Sequence, residues 1–165
     1  MRLTPFVLCL GIAASTLSVA VTGQRPDDQI APQSMEYLKQ GETLLSQGKL
    51  IEADDALESA LVVDPKNRAA FVSMAKVSIK QKLYGQAIRL TNKALTLEPT
   101  DRDALAVQGE AMVELGAVPR AKENLAKLQK LCGTAGCPQV ATLSTAIARG
   151  PALAAAKMPD APKKN

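Results

Sequence analysis

Two cysteines, Cys132 and Cys137, stand on either side of Gly-Thr-Ala-Gly and are the residues of this chain best placed for covalent chemistry. A thiol pair at that spacing could form a disulfide, cycle between oxidised and reduced states, or contribute to a metal site. It is neither the CxxC of thiol oxidoreductases nor the CxxCH of haem attachment, and the chain contains no histidine. The missing imidazole removes the commonest general base and the commonest metal ligand together. Two thiols without one do not complete a tetrahedral set. A structural disulfide is the leading expectation, with a redox-active pair as its rival; no catalytic residue, metal or cofactor is expected.

The compartment bears on that choice. The first residues, MRLTPFVLCLGIAASTLSVAVTGQ, carry one cation at Arg2, an apolar run from Leu3 to Ala14, and small residues after it. This is the pattern of an export signal, residues 1–20, with cleavage expected after Ala20 and a cut before Gln24 as second choice. The rival is an uncleaved anchor in the inner membrane facing the periplasm, because Leu3 to Gly23 is uncharged and could just span a bilayer. Either route puts the domain in the periplasm or outside the cell. Cys9 lies within the apolar run behind Leu8, which is not the small residue a lipid-attachment site needs, so it is expected to leave with the signal. An even thiol pair in an exported chain is most simply a disulfide. So short a ring contributes only about 2 kcal/mol, and its use is geometric.

The elements that must position these residues are helical. The chain has 165 residues, 47% of them apolar, yet only two Phe, two Tyr and no Trp. A core built from Ala, Leu, Val and Ile favours helices packed through small side chains. Residues 21–33 form a polar leader with two prolines and no periodicity. From Ser34, apolar residues recur at helical spacing in segments of roughly a dozen, separated by turns such as SQGKL, DPKNR, QKLYG, EPTDR and LGAVP. ALVVDPKN, Ala60 to Asn67, returns 34 residues later as ALTLEPTD, Ala94 to Asp101. Helix pairs at a fixed period indicate a stacked repeat, because one pair cannot bury its own apolar face. The third copy reads LQKLCGTA, with cysteine and glycine where the acid and proline stood.

At this period the chain resembles the tetratricopeptide repeat family, over three copies at 34–67, 68–101 and 102–135. The family's large apolar residue in the first helix matches Tyr37, Phe71 and Leu105, and its small contact residue matches Gly41, Ala75 and Gly109. In the second helix its small residues match Ala53, Ala87 and Ala121, then Ala60 and Ala94; Pro65 and Pro99 match the closing proline. Thr91 departs from the bulk of Leu57 and Leu125, and Leu128 replaces an alanine. The resemblance implies an all-α fold, an α-solenoid of three tetratricopeptide helix pairs plus a C-terminal capping helix at 138–149. That segment, PQVATLSTAIAR, sets Val140, Leu143 and Ile147 on one face. Residues 150–165, rich in Pro, Ala and Lys, are expected to be disordered.

The resemblance also places a peptide-binding groove on the first helices. Three columns face it at the repeat period: Leu38, Val72 and Ala106; Glu42, Lys76 and Glu110; Leu45, Ile79 and Val113. Lys80 and Glu114 extend the polar edge. Two apolar stripes would anchor a peptide while Lys76 or Lys80 takes a carboxylate. The competing expectation is that Glu42, Lys76 and Glu110 neutralise one another and the stripes are ordinary packing. The carboxylate clamp of cytosolic chaperone binders would fall on Leu38, Glu42, Ser73, Asp103 and Val107, and none of these matches it.

Charge is uneven: the copies carry net −4, +4 and +1. Such a dipolar scaffold could stack end to end or dock a dipolar partner. With no aromatic platform and no single basic face, nucleic acid is not an expected partner. The expected function is a non-catalytic protein-interaction adaptor in the periplasm, binding a protein or peptide segment. The alternatives are a self-associating structural module of an envelope complex and a redox-responsive binder using Cys132 and Cys137.

Overall fold

The computed structural model describes residues 29–151. The expected signal, most of the expected leader and the tail beyond residue 151 lie outside the described residues. Three helix pairs follow one another: α1 (Pro32–Ser46) with α2 (Leu50–Val63), α3 (Arg68–Lys80) with α4 (Tyr84–Leu97), and α5 (Arg102–Glu114) with α6 (Val118–Cys132). A short 3-10 turn, Gly133–Ala135, leads to α7 (Pro138–Arg149). The described residues contain no strand. Helix α1 begins two residues before the expected repeat boundary, because Pro32 suits a first helical turn and the Ala31 amide is held by Asp64 Oδ2 at 2.9 Å.

Each first helix packs on its own second helix and on the next first helix, so α1, α3, α5 and α7 form a continuous wall. The second helices stand further apart from one another, which places the wall on the inside of the curve. Small residues set the spacing. A Cβ added at Gly41 would lie 2.5 Å from Leu57 Cγ, and one at Gly109 would lie 2.6 Å from both methyls of Leu143. Ala53, Ala60, Ala75, Ala87, Ala94 and Ala121 are fully buried. Thr91 is buried too, its hydroxyl donating to the carbonyls of Ala87 at 2.9 Å and Ile88 at 3.0 Å.

The DPKN and EPTD turns solve the same problem twice. A helix ends and another begins within four residues, leaving carbonyls and amides without intrahelical partners. Asp64 Oδ1 accepts from the Lys66 amide at 3.0 Å, and Asn67 Oδ1 accepts from the Ala70 amide at 3.2 Å as the N-cap of α3. The Asn67 amide donates to Ser34 Oγ at 2.8 Å, and Ser34 Oγ donates to the Ala60 carbonyl at 2.7 Å. One period on, Glu98 accepts from the Thr100 amide at 3.0 Å, and Asp101 caps α5 through the Ala104 amide at 2.7 Å. Hydrogen bonds from the Thr100 hydroxyl and amide, with the charge of Arg68, hold the Glu98 carboxyl below the usual range. Arg68 is also paired with Asp101.

At the third junction the chain does something else. Leu128, in place of an alanine, is fully buried and shares a cluster with Leu105, Ala106 and Leu143 of α7. The structure joins Cys132 to Cys137, with Cα atoms 5.6 Å apart, across the turn between α6 and α7. Helix α7 packs on α5 and α6 as the first helix of a fourth pair would, with no second helix after it among the described residues.

Within the pairs, the turn residue is left-handed: Gly48 at φ 75°, Lys82 at φ 62° and Gly116 at φ 77°. Lysine at the middle position carries a strain that glycine does not. Lys82→Gly is expected to raise stability by about 0.5–1 kcal/mol in urea denaturation. Gly109→Val forces Leu143 out of its seat, at a cost of about 1–3 kcal/mol. Amide exchange should then quicken in α7 and leave α1 and α2 protected.

Candidate functional site

The first-helix wall is lined by α1, α3 and α5, with α7 closing its far end. The expected groove residues divide by burial. Leu38, Val72, Ala106 and Val113 are at most 5% exposed and belong to the packing between helices. Little of these side chains is open to a ligand, although Ala106 still reaches a cleft beside Lys76. The expected stripe of Leu38, Val72 and Ala106 is therefore mostly packing, and only Leu45 and Ile79 of the other stripe remain partly open. The wall is too closely packed for both sides of its apolar columns to stay open. Leu45 and Ile79 are half-buried, and Glu42, Lys76 and Lys80 are exposed.

Among the described residues the charged row makes no ion pair within itself, although Lys76 still acts on the Glu110 carboxyl. Glu42 Oε1 accepts from the hydroxyl of Ser73 at 2.9 Å and makes no ion pair with a lysine among the described residues. Among the described residues neither Lys76 nor Lys80 makes an ion pair. Glu114, expected on an open polar edge, is buried under α7, where it receives Arg149 Nη2 at 2.8 Å. Glu110 is half-buried, and burial pushes its carboxyl above the usual range. Arg149 and Lys76 oppose that shift, Glu114 adds to it, and Lys80 opposes it more weakly. Five charges from three helices thus converge on one stretch of wall.

Helix α7 contributes residues that sequence reasoning assigned only to a cap. Gln139 Nε2 donates to Asp103 Oδ1 at 2.8 Å, and Gln139 and Thr142 help line a cleft of about 270 Å³ with Lys76 and Glu110. Setting α7 as a fourth first helix would have flagged Arg149, one helix-length beyond the cysteine turn. A larger cleft, about 560 Å³, lies by the interhelical turns between Met35, Lys66 and Leu97. Its most buried polar group, Asn67, is already engaged by Ser34. Among the described residues no cluster of His, Cys, Asp and Glu could hold a metal, and no helix is long and apolar enough to cross a membrane.

The fold is that of a tetratricopeptide α-solenoid. Neither protein-family models nor curated protein sequences match the chain. Solved structures do. The second tetratricopeptide domain of human RPAP3, in complex with the HSP70 peptide SGPTIEEVD, is 22% identical with a TM-score of 0.62, covering 70% of this chain and 95% of that one. The Sgt2 tetratricopeptide domain of Aspergillus fumigatus is 19% identical with a TM-score of 0.65, covering 82% and 88%. The type III secretion translocator chaperone SycD of Yersinia enterocolitica is 17% identical with a TM-score of 0.62, covering 72% and 89%. Likeness at these identities establishes the fold.

The Glu110 carboxyl yields a pH test. Because its folded value is raised, the folded chain binds this proton more readily than the unfolded chain. Stability therefore falls as pH rises from the ordinary glutamate range through the raised value. Glu110→Gln should be more stable than the parent at neutral pH, with the difference vanishing below the ordinary glutamate range in denaturation measured against pH.

Proposed function

We propose that this chain is a non-catalytic adaptor that binds a segment of another protein along the wall of α1, α3 and α5. The observation that carries this reading is the pair of exposed lysines, Lys76 and Lys80, one turn apart on α3 and without an ion pair among the described residues. Two ammonium groups at that spacing suit an acidic side chain or a terminal carboxylate. Leu45 and Ile79, half-buried beside them, supply the apolar contact. Glu42 and Glu110 bracket the lysines and would reject a segment acidic along its whole length. The human RPAP3 domain, of the same fold, is in complex with a peptide that ends in EEVD. The residues here differ from the clamp of such chaperone binders, so a different acidic partner is proposed.

The first residues support export, with the domain working in the periplasm after cleavage at Ala20. An oxidising compartment suits Cys132 and Cys137 as a permanent link. Helix α7 would keep the buried Leu143 and the Arg149–Glu114 pair if that link opened, which favours a structural role over a redox switch.

The test is Lys76→Glu with Lys80→Glu, two exposed changes expected to leave the fold intact. Crosslinked pull-down from intact cells should lose the partners that the parent recovers, and unchanged recovery would overturn the groove. Amino-terminal sequencing of the exported protein should begin at Val21.

A further inference from the structure

The outer face of α2 differs from every other second helix in a way the fold does not require. Ile51, Asp55, Glu58 and Val62 follow one another at four, three and four positions, a single stripe about 16 Å long. Val62 is 83% exposed and Ile51 72%, the two most exposed large apolar side chains among the described residues. One and two periods on, Ile51 corresponds to Gly85 and Pro119, and Val62 to Thr96 and Lys130. The repeat therefore does not need apolar residues at these places.

The charge on this helix is as unusual. Helix α2 holds four acids, Glu52, Asp54, Asp55 and Glu58, and no cation. None of them makes an ion pair among the described residues. Burial chiefly, and then Glu58 and Asp55, push the Asp54 carboxyl above the usual range. At the far end of the same outer layer, α6 carries four cations and one acid. Its exposed Lys127 and Lys130 have the same three-residue spacing as Asp55 and Glu58.

We infer that the α2 stripe of one copy docks on α6 of a second copy, joining outer faces and leaving both grooves open. An antiparallel register sets Asp55 against Lys130 and Glu58 against Lys127. It also brings Ile51 within a turn of Leu131, itself 41% exposed, and Val62 within a turn of Ala126. Opposed helix dipoles and lysine stems add to the contact. The surfaces are unlike, so the contact is heterologous unless two copies make it reciprocally. This inference stands apart from the groove, since none of its residues lies on the first helices.

Sedimentation equilibrium of the purified protein over a range of concentration tests it. The parent should associate, and association should weaken at high salt. Asp55→Lys with Glu58→Lys, and separately Lys127→Glu with Lys130→Glu, should each weaken association at least tenfold while circular dichroism stays helical. Mixing the two charge-swapped proteins should restore it, because each then offers the face that the other needs. Val62→Ser should weaken the parent contact without altering its salt dependence. A parent that is monomeric throughout, association that survives both reversals, or folded variants that fail to recover on mixing would each overturn the inference.

Discussion

The fold depends on satisfying a helix end and a helix start within four residues. Asp64 and Asn67 do this at the first junction, and Asn67 goes further by drawing Ser34 onto the Ala60 carbonyl. One turn thereby ties together the start of α1, the end of α2 and the start of α3. Asp101 repeats the cap at the second junction, with Arg68 replacing the amide network. The proline in each turn prevents the preceding helix from continuing, while the flanking acid and cap residue set where the next begins. Stacking at a constant period follows, because each junction hands the chain on in the same direction.

The third junction departs because its task is different. Here the chain passes from α6 into α7, which packs on both α5 and α6. Leu128 fills space that alanine would leave against Leu143, and Cys132 and Cys137 link the helices across a glycine-flanked turn. Gly109 lets Leu143 approach α5, and Arg149 covers Glu114. Capping here also means shaping, since Gln139 and Thr142 of the capping helix form part of the cleft beside Lys76.

The helix pairs were legible in the sequence because architecture here is periodic: Gly41, Ala75 and Gly109 recur at one spacing, as do Ala53, Ala87 and Ala121. The candidate site was less legible because periodicity fixes where a side chain stands along a helix, not how deeply its neighbours bury it. Leu38 and Val72 fall on the predicted face yet are consumed by packing between first helices. Glu42 stands level with Lys76 but bonds to Ser73, a nearer donor that a column of charges does not display. Glu114 is buried by Arg149, which lies outside the repeats altogether. The outer stripe on α2 was hidden for the opposite reason, because it is where the repeat pattern is silent.

The apolar core is divided unevenly. One cluster runs through the first two pairs and reaches α5, while two small clusters hold the third pair and α7. Most contacts between helices join neighbours in the chain, and those between successive first helices span about one repeat, so little loop entropy opposes their formation. The cysteine link joins residues already only five apart in the chain, so it shortens no search; it fixes the direction in which the chain leaves α6 and enters α7.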